Sequence, residues 1–221
     1  MRNLIDLTHI IQPGAGQRKF LIETVGADTV NHNVVRDKDQ WYIMTNIQMV
    51  SHIATHIEVP YHLFPDGKDL ASMSVETFCG TAVVLDFSDI QSRISITRNA
   101  TEKAVEKAGG IQPGDIVLCN LGYADRYGTP AYSESPYFST EALEYLADSG
   151  MKMMGVDAGG VEIPSTYQHE NHSLLFHREI PLIENVAHLN KLPTSRFWLC
   201  AFPYPITGVE AFPVRVIAFV D

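Results

Sequence analysis

The sequence predicts an α/β or α+β fold with a mixed central sheet. Three observations lead there: short runs rich in Val, Ile and aromatics recur along the chain, capped helical segments lie between them, and no linker-like stretch divides the 221 residues. The runs are Leu4 to Thr8, Tyr42 to Val50, Thr81 to Phe87, Asp115 to Leu121, Lys152 to Val156, Arg196 to Phe202 and Val214 to Val220. Most are continuously apolar rather than alternating, which predicts strands covered on both faces. A helix is predicted over Thr101 to Ala108, with Asn99 as its N-cap, Glu102 three residues on, and a stop at Gly109-Gly110 before Pro113. A second runs from Thr140 to Ala147 after Ser139, with Glu141 in its first turn and Leu143 and Leu146 on one face. A third, shorter one is predicted from His172 to Arg178, capped by Asn171 and ended before Pro181. Gly122 to Pro136 is polar and Tyr-rich and reads as a long loop, a kind of segment that often carries function.

With 45% hydrophobic and 19% charged residues the chain has the balance of a globular protein, and residues 1–221 read as a single domain. Sixteen Lys and Arg against 26 Asp and Glu leave a net charge of −10, which repels a nucleic-acid backbone. No apolar run approaches the roughly 18 to 20 residues that span a bilayer, so no membrane partner is expected. The start, Met1 to Asp6, carries an acid where a signal peptide would be apolar, and the expected location is cytoplasmic. Cys79, Cys119 and Cys200 are read as buried thiols rather than disulfides or metal ligands.

Histidine spacing carries the chemistry. In Ser51-His52-Ile53-Ala54-Thr55-His56-Ile57-Glu58-Val59-Pro60-Tyr61-His62, the i, i+4 spacing of His52 and His56 would suit a metal-binding helix. Pro60 and four β-branched residues argue against one. As extended chain, His52, His56, Glu58 and His62 share one side, while Ile53, Ile57 and Val59 face a core. A solvated strand face is the plain alternative, but three imidazoles and a carboxylate together favour a site for zinc, manganese or iron. Thr55 falls on the core side and reads as structural, and Asp157 reads as a support residue. A second cluster, His169-Glu170-Asn171-His172 through His177 and on to Glu184, is ambiguous alone.

The spacing His52-x-x-x-His56-x-Glu58-x-Pro60-x-His62 resembles the His-x-Gly-Thr-His-x-Asp-x-Pro-x-His signature of the cyclase family of metal-dependent hydrolases, which includes bacterial kynurenine formamidase, isatin hydrolase and a trans-dienelactone hydrolase. Ile5-Asp6-Leu7-Thr8-His9, Gly114-Asp115-Ile116-Val117-Leu118, Gly155-Val156-Asp157 and Phe212-Pro213-Val214-Arg215 resemble further segments of that family, in order along nearly the whole chain. His172 and Glu184, twelve residues apart, match its second His and Glu ligands. The resemblance implies a swivelling β/β/α domain in which His52, His56 and Glu58 hold a first divalent ion. It implies that Glu58 bridges to a second ion held by His172 and Glu184, that His62 is the general acid/base, and that the chain forms a homodimer or homotetramer. Three positions depart from the pattern: Ala54 replaces Gly, Glu58 replaces Asp, and Gly160-Val161-Glu162 replaces Ser-x-Asp.

The resulting expectation is a hydrolase of a small cyclic or N-acyl amide, or of a lactone, using one or two zinc or manganese ions. Such ions bring the pKa of bound water toward ~7 and polarise the scissile carbonyl, with His62 moving the proton. A metal-dependent lyase or dehydratase, or a catalytically silent metal-binding relative, is the alternative. Substrate-binding residues are not assigned; Phe20, Tyr42, Tyr61 and Phe64 are aromatic candidates to line a pocket, but aromatics in so apolar a chain are more often core. The Pro13-Gly14-Ala15-Gly16-Gln17 stretch lacks an aromatic where the family stacks one, which weighs against formylkynurenine as substrate.

Overall fold

A computed structural model describes residues 3–13, 18–164 and 167–220, so Gly14 to Gln17 of the stretch just discussed lie outside the described residues. The strands are β1 (Asn3–Asp6), β2 (Phe20–Gly26), β3 (Ile43–Met49), β4 (His56–Glu58), β5 (Cys79–Asp86), β6 (Ser95–Ile96), β7 (Ile116–Asn120), β8 (Tyr137–Phe138), β9 (Met153–Val156), β10 (Leu182–Glu184), β11 (Arg196–Cys200), β12 (Ala211–Pro213) and β13 (Ile217–Val220). The helices are α1 (Ala27–Val30), α2 (Arg98–Lys107), α3 (Thr140–Asp148) and α4 (Glu170–His177). Nine strands form one mixed sheet in the order β1-β13-β11-β5-β7-β9-β10-β4-β12, parallel from β5 to β10 and antiparallel on both flanks.

Both faces of this sheet are covered, which is why its central strands read as unbroken apolar runs. On β7, Ile116 and Leu118 enter one core with Ile57, Met153 and Leu199. Val117 and Cys119 enter the other, beneath Val105 of α2, Leu143 and Leu146 of α3, and Phe176 of α4. The predicted run Tyr42 to Val50 has a different fate: it becomes β3, which pairs with β2 as a separate two-stranded ribbon whose Leu21, Ile22 and Ile47 are exposed.

Two helix caps differ from expectation. Helix α2 starts at Arg98 because Thr97, not Asn99, accepts the Ala100 N–H, and Glu102 pairs with Arg98 at 2.9 Å instead of closing a capping box. Helix α4 starts at Glu170, so Asn171 is not a cap but a buried interior residue whose amide donates to the Phe138 and Val161 carbonyls. Ser139, the residue before α3, caps it by accepting from the Ala142 N–H. The segment from Gly122 to Pro136 holds two short 3-10 turns, 124–126 and 130–134, and folds back so that Tyr132 reaches Asn185. Among the described residues no helix is long and apolar enough to cross a membrane.

Candidate metal centre

The first histidine cluster converges, though not as one extended strand. Only His56 to Glu58 is β-strand; Ala54 takes a left-handed conformation at φ 50°, and Pro60–His62 is a 3-10 turn. On β4 the alternation holds locally: Ile57 is fully buried in the core while His56 and Glu58 leave by the other face. His52 and His62 reach the same place by bends, with ring centroids 4.4 Å apart and His52 5.0 Å from His56. The Ala54 kink aims its carbonyl at His56 Nδ1, 2.8 Å away.

The second cluster is delivered by register and by a helix. Glu184 on β10 stands directly opposite His56 on β4, so both side chains share a face, and Glu184 Oε2 is 3.6 Å from His56 Nε2. His172 comes from the first turn of α4, with Nε2 3.4 Å from Glu58 Oε2 and 3.7 Å from Glu184 Oε1. All six residues singled out in the sequence, His52, His56, Glu58, His62, His172 and Glu184, therefore meet in one place. They make two overlapping donor triads, His52/His56/Glu58 and Glu58/His172/Glu184, each with ligand atoms within 4.8 Å of one another. A third triad, His52/His62/Glu210, shares His52.

Carboxylates outside the two overlapping triads orient two of the imidazoles. Glu162 Oε1 accepts from both the backbone N–H and Nδ1 of His172, each at 2.7 Å, leaving Nε2 to face the site. Glu210 Oε1 lies 3.2 Å from His52 Nε2 and accepts from the Ser51 hydroxyl at 2.6 Å, so His52 presents Nδ1 to Glu58 Oε1 at 2.7 Å. For His56 the orienting acceptor is the Ala54 carbonyl, which Asn185 Nδ2 also engages at 2.8 Å. Sequence reasoning did not find Glu162, Glu210 or Asn185. Glu162 stood only as a departure from a motif, and nothing about an acid at position 210 marks it in one dimension.

The electrostatics fit a divalent cation. Burial opposes charge on Glu58, yet the surrounding imidazoles of His172, His52 and His56 hold its carboxyl well below the usual range. Among the described residues its Oε2 is buried without a hydrogen-bond partner, an orphan 3.4 Å from His172 Nε2. The carboxylates of Glu58, Glu162 and Glu184 are each paired with an imidazole among the described residues. Burial disfavours a positive charge on His172, but Glu162, Glu184 and Glu58 push its pKa up to about 11. His62 goes the other way, because burial and the neighbouring imidazoles of His52 and His172 hold it below its ordinary value despite Glu58 and Glu210. A hard or borderline ion bound by imidazole and carboxylate satisfies the orphan oxygen and replaces the imidazolium.

The three sequence departures have local explanations. The longer Glu58 spans the site, one oxygen on each triad. A Cβ on Gly160 would sit 3.0 Å from Glu184 Oε1, so the missing side chain leaves that carboxylate unobstructed. Ala54 has the positive φ that glycine accepts more readily. Thr55 is structural as expected, accepting from His9 N–H at 2.9 Å and donating to the Asn185 carbonyl at 2.6 Å. Asp157 supports the long loop through backbone N–H groups of Leu121, Tyr123 and Ala124, while burial holds its carboxyl above the usual range. Of the four aromatic candidates, Phe64 packs instead on His177, and the ring that meets the site is Phe176, 5.7 Å from His172 and 6.2 Å from His62.

Comparison with known proteins agrees with this picture. The chain is 25% identical over 173 residues to a kynurenine formamidase of Bacillus cereus, and 25% over 172 residues to one of Bacillus cytotoxicus, covering 77% of each chain in both cases. Its fold is similar to isatin hydrolase A from Labrenzia aggregata bound to benzyl benzoate, with a TM-score of 0.83 and 22% identity over 99% of this chain and 94% of that one. An isatin hydrolase bound to the product analogue thioisatinate gives a TM-score of 0.85 at 20% identity, over 99% and 92%. The profile of the family described as "Putative cyclase" matches residues 5–163, well over half of the 221, and the chain belongs to the cyclase family.

Proposed function

We propose that the protein is a metal-dependent hydrolase of a small cyclic or N-acyl amide, or of a lactone. The observation that carries this is the pair of donor triads joined by Glu58, with its orphan oxygen, beside the solvent-accessible His62. Relatives named kynurenine formamidase and isatin hydrolase both act on amide C–N bonds, which supports the same class of substrate here. His52, His56 and Glu58 hold one ion, and Glu58, His172 and Glu184 hold a second where two are bound; zinc and manganese both suit these donors. A divalent ion there supplies Lewis-acid polarisation of the scissile carbonyl and acidifies water.

The chain's own residues supply the rest. His62, whose pKa is held below its ordinary value by partial desolvation and by the imidazoles beside it, is placed to take a proton from the attacking water. It then returns that proton to the leaving nitrogen or oxygen. Phe176 packs edge-on against His62, with ring centroids 6.2 Å apart, and forms one wall beside the imidazole. Glu162 and Glu210 hold His172 and His52 in the tautomers that point their free nitrogens inward. A second copy of the chain is the partner we assign to the exposed β2–β3 ribbon, giving a homodimer or homotetramer.

The test pairs elemental analysis with activity on an aryl formamide, isatin and a lactone, for wild type and His56→Ala. One or two equivalents of zinc or manganese, hydrolysis of at least one substrate, and loss of both in the variant are expected. Heavy-oxygen water should label the product carboxylate. Metal-free protein after incubation with both ions, or product formed without label, would overturn the hydrolase reading.

A further inference from the structure

Cys79 and Cys200 are direct cross-strand partners at the end of the β5–β11 pair. The hydrogen-bond phase of that ladder is fixed at both ends: Val84 N–H donates to the Ser195 carbonyl at 2.8 Å, and Ala201 N–H donates to the Phe78 carbonyl at 2.9 Å. In an antiparallel pair, hydrogen-bonded and non-hydrogen-bonded partners alternate. Counting inward from either end makes Cys79 and Cys200 a non-hydrogen-bonded pair, the kind whose Cα atoms lie about 4.5 Å apart with side chains on one face. That spacing falls within the range of roughly 4.4 to 6.8 Å that a disulfide bridges. Both thiols are free and partly exposed, whereas Cys119 is fully buried. The first expectation for these cysteines, three buried thiols, therefore holds for Cys119 alone.

The surroundings admit a reagent. A cleft of about 500 Å³ is lined by Cys79, Thr81, Lys152, Arg196 and Trp198. Lys152 Nζ donates to the Cys79 carbonyl at 2.6 Å and to the Glu76 carbonyl at 2.7 Å, which fixes an ammonium beside the cysteine. Arg196 adds a second cation to the same wall, paired with Asp115 at 2.9 Å. Glu76 and Asp115 line the same cleft and balance these cations, so it is the cleft's size beside a partly exposed thiol that admits a disulfide of low molecular weight.

We propose that Cys79 and Cys200 form a thiol–disulfide exchange site that closes to an intramolecular cross-strand disulfide on reaction with such a compound. One cysteine thiolate attacks a sulfur of the reagent, forming a protein mixed disulfide and expelling one reagent thiolate. The second cysteine thiolate attacks the protein sulfur of that mixed disulfide, forming the Cys79–Cys200 bond and expelling the other reagent thiolate. Two protein thiols are oxidised by two electrons, the reagent disulfide is reduced to two thiols, and the two thiol protons pass to the departing thiolates. Neither cysteine belongs to the candidate metal centre, so the proposal does not depend on the hydrolase reading.

The test treats the folded, full-length protein with glutathione disulfide and maps the products by peptide mass spectrometry. Wild type is expected to lose two hydrogens, yield the Cys79–Cys200 linked peptide, keep Cys119 reduced, and recover fully with dithiothreitol. Cys79→Ser and Cys200→Ser, each lacking the resolving thiol, are expected to retain one glutathione as a stable adduct. Absence of reaction, a wild-type chain that keeps glutathione, or disulfides that link two chains would each overturn the proposal. Metal content measured before and after oxidation is expected to be unchanged.

Discussion

Two antiparallel strand pairs in this protein carry the same cross-strand couple in opposite surroundings. Ile57 of β4 faces Ile183 of β10, and both are fully buried. Ile22 of β2 faces Ile47 of β3, and these are 48% and 61% exposed. The residues and their pairing are alike; what differs is the layer above them. The β4–β10 pair lies inside a nine-stranded sheet packed on both faces, and it is there that His56, Glu58 and Glu184 are aimed into one site. The β2–β3 ribbon stands alone, and two strands alone are marginal in water unless another surface covers them. Apolar content thus gives a strand's tendency to be covered, while the fold decides whether the cover comes from the same chain.

The largest effect is expected at the site end. His62→Gln should lower kcat about 10²- to 10⁴-fold, the usual contribution of a positioned acid/base, with metal content retained. A variant that loses metal as well would make His62 a ligand and shift weight to the His52/His62/Glu210 triad. Next comes the paired isoleucine contrast itself. Ile57→Ala should cost about 2 to 5 kcal/mol in denaturant unfolding, whereas Ile47→Ala should stay within about 0.5 kcal/mol for the dilute monomer. Ile47→Glu should weaken self-association in analytical ultracentrifugation. Equal unfolding costs at both isoleucines would show the ribbon to be covered within one chain.

A smaller, more local contrast separates the outer carboxylates from the ligands they orient. Glu162→Gln and Glu210→Gln should each weaken zinc affinity about 10- to 100-fold in chelator competition, because the orienting charge is lost while the ligand stays. The Glu162 variant should show the greater loss, since Glu162 holds His172 by both its ring and its backbone N–H. An unchanged affinity in both would mean that the fold alone fixes the two rings.

These outer positions also mark where one-dimensional reading ends. Periodicity and turn residues identify the central strands, because burial on both faces writes itself as continuous apolar sequence. Strands β4, β10 and β12 have three residues each, too short for any period to register. His52, His56 and Glu58 are legible because they are neighbours in sequence, and their convergence survives an error in the supposed backbone. The extended-chain argument places His62 on the right side for the wrong reason, since a left-handed Ala54 and a 3-10 turn do the gathering. His172 and Glu184 become legible only through the family resemblance, because strand register and a helix start bring them in. Glu210 sits more than 150 residues from Ser51, the hydroxyl that it accepts from, and no local pattern announces such a contact.

Ala54 supplies the finest test of how the site end is held. Its φ of 50° is a conformation that costs an L-residue about 1 kcal/mol or more and glycine very little. The strain persists because the Ala54 carbonyl is held by His56 Nδ1 and Asn185 Nδ2, both at 2.8 Å. Ala54→Gly relieves it but gives the unfolded chain more freedom, worth about 0.5 to 1 kcal/mol in the opposite direction. It also removes a methyl from a residue that is 4% exposed. The expected net change in unfolding free energy is therefore within about 1 kcal/mol of zero, with zinc affinity unchanged, as read by paired denaturation and chelator titrations. A loss clearly beyond that would mean the Ala54 methyl supports the kink by packing. A fall in zinc affinity without a fall in stability would show that a stiff backbone at this one residue, rather than the hydrogen bonds to its carbonyl, keeps His56 aimed.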